Sequence, residues 1–491
     1  MSLNMQALRF SIDSGFRLLQ RFFESYYKLD LRSLALMRIG MACVIISDLM
    51  FRFTDIRALY CDEGMWPVKL MYNLGWKDGF WSLHALSGTY TWTFFLFVLH
   101  VSFALSLLLG FYTRLSTFVV WVLYISLHNR NLFVLQSGDD LLRLLLFWAL
   151  FLPWGSRYSI DAMKDKSGSG PSASASLGYL MLMASVYLFT AVLKSDPDWH
   201  SERSALYYAL SLEEMRRPGF GDLLYQQANL LQWLTPIVYG LELVLPVLML
   251  WPSKKGLPRG VAFLLILILQ LAIGLSLYVG HFFLISICSA FALIPGSVLD
   301  KWATGLAVLG KKPEWSSSAT SHKHNQLIAT FLILVMALCF FLNLSTLNWF
   351  PLQANKALRT GLNFLRLNQN WAMFSPGILR KGGWFVYHGL DSLGRQWDMR
   401  RNCDYVDYKE PEKRSDLFRN DRWRKLSENM QNEKFIFLRH LYGNYYLKNW
   451  NREHPEKKIK TLNLYFMEQE NLEHYHKSEA RKILYVVSTE P

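Results

Sequence analysis

Residues 326–346 read QLIATFLILVMALCFFLNLST, with no Asp, Glu, Lys or Arg among them. At 1.5 Å per residue, a helix of this length crosses the roughly 30 Å hydrocarbon layer of a bilayer. A helix apolar on all sides has no face to offer water. Working upstream, eight further apolar blocks lie at about 34–51, 91–110, 116–127, 140–155, 177–194, 228–252, 260–277 and 282–296. The third, fourth and eighth of these nine spans are short, and tilt or extension beyond these limits accommodates them. Working downstream, residues 350–491 are charged and aromatic, with no run of spanning length. There, 384–389 and 396–401 flank Ser-Leu-Gly and predict a hairpin. Residues 418–450 read as helical, and 460–467 and 482–488 read as strands. The expected fold is an all-α polytopic membrane bundle of about nine spans over residues 1–347, followed by a mixed α/β extracytoplasmic domain over 348–491.

The composition agrees. The 491 residues are 52% hydrophobic and 15% aromatic, with a mean hydropathy of +0.13. Residues 1–33 are largely polar and basic, and no small-residue cleavage site follows the first apolar block, which therefore reads as a retained helix. The net charge of +14 admits nucleic-acid binding, but basic cytoplasmic loops account for it more simply, so no nucleic acid is expected. With the N-terminus inside, the inner segments hold 16 Lys/Arg and the outer segments 8. That bias predicts a cytoplasmic N-terminus, and nine spans then put the C-terminal domain outside. Residues 164–176 and 310–325 are Ser-rich or Gly/Ser-rich and read as linkers. The five cysteines include no Cys-x-x-Cys, so neither a zinc nor a redox motif of that type is indicated, and no metal is expected.

Ionisable groups inside spans need a partner or a task. Arg38 lies in span one, a turn from its inner end, where it either snorkels to the headgroups or binds a ligand. Asp48 lies near the outer end of the same span. Asp139 and Asp140 open span four. One of them can cap the helix, and Arg143 lies at i+4 from Asp139, in position to pair with it. Lys194 ends span five and is followed by Ser195-Asp196-Pro197-Asp198-Trp199. It is either an interfacial lysine or a partly buried base. Glu242 sits mid-way along span six, where it must be neutral, paired, or facing a polar cavity. His281 begins span eight. In this topology Asp139, Asp140, Lys194 and His281 all lie at outer ends of spans. The aromatic and amide-rich Asn368–Pro376 segment is suited to pack over that mouth, so an outer-face pocket is expected.

The run Tyr187-Leu188-Phe189-Thr190-Ala191-Val192-Leu193-Lys194-Ser195-Asp196-Pro197-Asp198-Trp199 resembles the segment of vitamin K-dependent gamma-carboxylase that carries its catalytic lysine. Residues 1–300 and Trp371–Pro376 look like that enzyme's bacterial relatives, the HTTM (horizontally transferred transmembrane) family. Leu36-Met37-Arg38-Ile39-Gly40 and Ser159-Ile160-Asp161 fit the same pattern. In the carboxylase a reduced naphthoquinone reacts with dioxygen to give a strong base, which removes a glutamate γ-proton before carbon dioxide adds. The resemblance implies a quinol as cofactor and Lys194 as the base that deprotonates it. With Lys194 in that role, Asp139 and His281 are expected to shape the pocket as neighbouring catalytic groups, with Arg38, Asp140, Glu242 and Trp199 around the ligand. The resemblance implies as well a disulfide between Cys61 and Cys403, by analogy with the bridge of the animal enzymes. The carboxylase has an Asn-His pair ahead of its fourth-span-like helix, and Gly138-Asp139 stand there in this chain.

Two other readings compete with a quinol-dependent membrane enzyme. One is a non-catalytic membrane scaffold or maturation factor whose C-terminal domain binds an exported protein or peptide. The other is a transporter, which lacks support from any inverted repeat or paired Gly/Pro-broken span.

Overall fold

The computed structural model describes residues 22–164, 172–307 and 326–490, with the side chains of 302–307 excepted. The basic segment 1–21, residues 165–171 of the first linker and 310–325 of the second lie outside the described residues.

The membrane region is built from helices α1 (Leu31–Phe53), α2 (Tyr90–Leu109), α3 (Thr113–Arg130), α4 (Ser137–Ala149), α5 (Ala173–Val192), α6 (Ala228–Leu250), α7 (Leu257–Ser276), α8 (Phe282–Ala290) and α9 (Gln326–Leu344). Among the described residues six of these, α1, α2, α5, α6, α7 and α9, are long and apolar enough to cross a membrane. The chain is thus a multi-pass membrane protein, with six helices of spanning length where about nine spans, three of them short, were expected. The three short ones are instead shielded over much of their length. The last turns of α3 bury Leu123–Arg130 without a gap, including His128, Asn129 and Arg130, and α4 is buried from Leu141 to Ala149. A helix surrounded by other helices need not match the bilayer thickness. By contrast α6 and α9 leave Trp233, Ile237, Val247 and Leu334 exposed on the bundle surface, as lipid-facing helices do.

The two ends of the bundle are built differently. At one end Arg38 is fully buried and donates to the carbonyls of Leu107, Leu108, Trp154 and Tyr158 at 2.6, 2.9, 3.1 and 2.5 Å. It satisfies the orphan carbonyls at the end of α2. Ser33 on α1 bonds Ile294 O at 2.7 Å at the same end. At the opposite end sit the C-terminus of α1, the N-termini of α4 and α8, and the C-termini of α5 and α9. The C-terminal domain docks there.

That domain carries one antiparallel sheet in the order β2-β1-β3-β4, formed by β1 (Lys381–Leu390), β2 (Gln396–Asp398), β3 (Thr461–Glu470) and β4 (Arg481–Thr489). The expected hairpin is present, with His388 opposite Asp398 and Leu390 opposite Gln396. The Asp391 carboxylate accepts from Leu393 N and Arg395 N across its turn, and Gly394 takes φ +80°. The expected helix over 418–450 is two, α10 (Asp421–Gln431) and α11 (Phe437–Glu453). Asn432, extended at ψ 123°, breaks it and caps the next turn through Lys434 N. Gly443 lets α11 lie close on β4, since a Cβ there would stand 2.5 Å from Ser488 Oγ.

The disulfide is a second correction. Cys61 and Cys403 are both free thiols. Cys61 is buried in the bundle core, whereas Cys403 lies in a turn bridged to Asp398 and donates to Tyr405 O at 3.3 Å.

Candidate functional site

The run that follows α5 builds the site by local geometry. Asp196 caps a short 3-10 turn over Pro197–Trp199, its carboxylate accepting from Asp198 N at 3.1 Å. The turn folds the Trp199 ring back beneath Lys194, with Nζ 3.9 Å from the ring centroid, a cation–π arrangement. Trp199 Nε1 is anchored on Phe374 O at 3.0 Å. Lys194 is 3% and Glu242 8% exposed, and Lys194 Nζ contacts both Glu242 oxygens at 2.6 and 2.5 Å. Glu242 comes from the middle of α6, which contains Pro236 and Pro246. Pro246 has no N–H to return to the Glu242 carbonyl, so the helix is weakened where the carboxylate projects. Burial disfavours both charges, and their mutual contact offsets this.

This pair lines a cavity of about 630 Å³ between the bundle and the docked domain. The bundle contributes Val186, Tyr187 and Thr190 from α5, Leu269, Gln270 and Ile273 from α7, and Phe282 from α8. The domain contributes Phe374–Leu379, Lys381, Gly383 and Arg424. The aromatic segment anticipated as a cover does pack here. Trp371 is 1% exposed, its carbonyl accepts from Thr190 Oγ1 at 3.2 Å, and Asp196 N bonds Pro376 O at 3.2 Å.

The loop after the helix Ala205–Ser211 supplies Glu214 to the same cavity. Its Oε2 is sealed from solvent and, among the described residues, has no hydrogen-bond partner. Burial pushes this carboxyl up, against the opposing pull of Arg414 and Arg424. Gly382 in β1 makes the room, because a Cβ there would stand 2.6 Å from Glu214 Oε1.

Asp139 and His281 belong to a second buried cluster. Arg52 on α1 donates to Asp48 at 2.8 Å, to Tyr60 Oη at 2.7 Å and also to Asp139. Arg422 on α10 reaches down from the domain to Asp48 at 2.7 Å and grips Asp139 through both terminal nitrogens, one at 2.8 Å. Asp139 also accepts from Gln136 N at 2.7 Å, capping α4. His281 Nε2 lies 3.0 Å from Ser47 Oγ, and its Nδ1 lies 3.8 Å from Asp48. The expected Asp139–Arg143 pair is replaced by Asp140–Arg143 at 2.8 Å. Asp139 faces inward to the two guanidinium groups, while Asp140 is part-exposed on the other side of the turn.

Of the residues singled out in the sequence, the structure therefore joins Lys194, Glu242 and Trp199. It places Asp139 and His281 with Asp48, and Asp140 on Arg143. Arg38 lies at the far end of the bundle. Arg422, Glu214 and Gln270 were not legible as site residues. A lone amide inside the otherwise apolar α7 run was the one available signal, whereas Arg422 sits in a charged stretch that reads as a solvated helix face. No cluster of metal-ligating side chains is present among the described residues. No family model matches the chain, and neither a curated protein nor a solved structure is significantly similar to it.

Proposed function

We propose that this protein is a membrane-embedded enzyme that binds a lipid-soluble quinol in the cavity between bundle and domain, with the Lys194–Glu242 pair taking up a proton from its hydroxyl. The observation that carries the reading is that buried pair, stacked on Trp199 in the wall of a cavity whose bundle side is largely apolar. Aromatic and aliphatic walls suit a flat apolar ring, and the buried Lys194–Glu242 pair suits a weakly acidic hydroxyl. A reduced naphthoquinone would fit this donor set, and when bound it supplies the redox chemistry.

The residues then act as follows. The pair holds one proton between amine and carboxylate. A ligand hydroxyl that gives up its proton adds it to the pair, and the resulting oxyanion lies beside a cation, which limits the cost of charge in an apolar site. The Trp199 face favours the ammonium form of Lys194. Phe374–Pro376 cover part of the site.

The resemblance of Tyr187–Trp199 to the lysine segment of the gamma-carboxylase family supports the same assignment. The twofold Lys/Arg bias supports a cytoplasmic N-terminus. The gathering of alternate helix ends at the docked domain is compatible with nine alternating segments and an extracytoplasmic domain.

The test is to measure oxidation of naphthohydroquinone by dioxygen in the presence of the purified protein, together with mass spectrometry of co-purifying quinones. Turnover is expected in the wild type and is expected to be lost in Lys194→Ala. Unchanged turnover in that variant removes the base assignment.

The competing scaffold reading is favoured by one feature, the Arg422 clamp, which is wholly occupied with fastening the domain.

A further inference from the structure

Among the polar groups in the bundle wall of the cavity that the proton-transfer reading does not use, Gln270 is the one with an unmet hydrogen bond among the described residues. Gln270 sits on α7 within the run Leu264–Leu275, which is otherwise apolar. It is 2% exposed and lines the cavity together with Lys194 and Glu242. An amide offers two donors and an acceptor with two lone pairs. Gln270 uses little of this capacity. Its Nε2 makes one long contact, 3.4 Å to Tyr187 Oη, and its Oε1 has no partner among the described residues. If the amide is turned over, the oxygen meets Tyr187 and the nitrogen is left over, so one end is unmet in either orientation. Buried polar groups are nearly always satisfied, and an amide left unmet in an apolar helix is one that leucine could replace at a gain in stability.

We infer that Gln270 is a specificity residue, whose unmet hydrogen bond is completed by a free hydroxyl of the cavity's ligand. This rests on the reading of the cavity as a quinol site and adds to it. The ligand is held at a second point, on the α7 wall, and it is selected for an unsubstituted oxygen. Tyr187 is the positioning residue, because its hydroxyl holds the amide's other end. A wall that must hydrogen-bond a hydroxyl rejects an analogue whose oxygen carries a methyl group, since the amide is then left buried and unpaired.

The test uses purified full-length protein in detergent and two probes, 1,4-naphthohydroquinone and its dimethyl ether, with binding followed by tryptophan quenching. Gln270→Leu is expected to weaken the hydroquinone about tenfold, the worth of one neutral hydrogen bond, and to bind the ether at least as tightly as the wild type does, because the amide it would strand is gone. Gln270→Met, closer in shape, is expected to behave in the same way, so that a poor fold in one variant does not decide the matter. Equal weakening of both probes in both variants would show a packing role and overturn the inference. Unchanged hydroquinone binding would overturn it too, while leaving the cavity reading intact. Failure of the wild type to bind either probe would remove the quinol reading and this inference with it.

Discussion

Two buried ionic sites lie at the same end of the bundle, and they are built to opposite plans. In the Asp48–Arg52–Asp139–Arg422 cluster two carboxylates meet two guanidinium groups, and the remaining lone pairs are filled by Tyr124 Oη at 3.2 Å and Gln136 N. In the Lys194–Glu242 site one amine meets one carboxylate beside a cavity of about 630 Å³. Planar guanidinium forks match carboxylates edge to edge and are always charged. They fasten well and exchange no protons. A lysine amine is a compact group whose proton can move. The first site therefore binds the domain to the bundle, and the second retains the capacity for chemistry. Burial and charge alone do not separate the two; the identity of the cation and the presence of a void do.

The largest effect is expected from Arg422→Met, which leaves Arg52 as the one guanidinium between two buried carboxylates. Breaking such a network costs about 3–5 kcal/mol. A lowered unfolding temperature and faster proteolysis between the bundle and the domain should report it. An unchanged proteolysis pattern would mean that the domain is held by other contacts. A smaller effect is expected at the second site. Lys194→Met and Glu242→Leu should each destabilise by about 2–3 kcal/mol, since each strands a buried partner, and the double variant should recover much of that loss. Strictly additive losses in chemical denaturation would contradict the pairing. The smallest effect is expected at Glu214, and it should depend on pH. Its folded pKa is raised above the ordinary value of 4.5, so its contribution is present in full below that value and is lost as pH rises through the folded pKa. Glu214→Gln should therefore remove a fall in stability with rising pH. The gap in unfolding temperature between the variant and the wild type should widen above pH 4.5 and then level off. A gap independent of pH would place the carboxyl in solvent.

How much was readable in the chain differs between the sites. Lys194, Glu242 and Trp199 could be picked out because each is conspicuous against an apolar or aromatic run. Their union could not, since 48 residues separate Lys194 from Glu242 and only helix packing brings them together. Asp139 was conspicuous too, but its local i+4 neighbour was the wrong partner. Its true partners, Arg52 and Arg422, lie 87 and 283 residues away. Local spacing predicts contacts on one helix face, and it fails where a side chain turns inward to another element. Arg38 misled for a related reason, because a guanidinium within a span can serve backbone carbonyls at a helix end as readily as a ligand.

Hydrophobic patterning by itself determined that this is a multi-pass membrane protein whose C-terminal region, unlike the bundle, carries no run of spanning length. The free energy of burying apolar surface is additive and local, and it can be summed along the chain. It also marked the positions of the hairpin and of the two later strands. Only the tertiary structure decided that three apolar helices are shielded within the bundle rather than of spanning length. It alone decided that the two cysteines stay apart and that the ionisable groups divide into a fastener and a cavity. Those outcomes depend on which charges meet across several helices, and directional contacts between distant segments leave no period in the sequence.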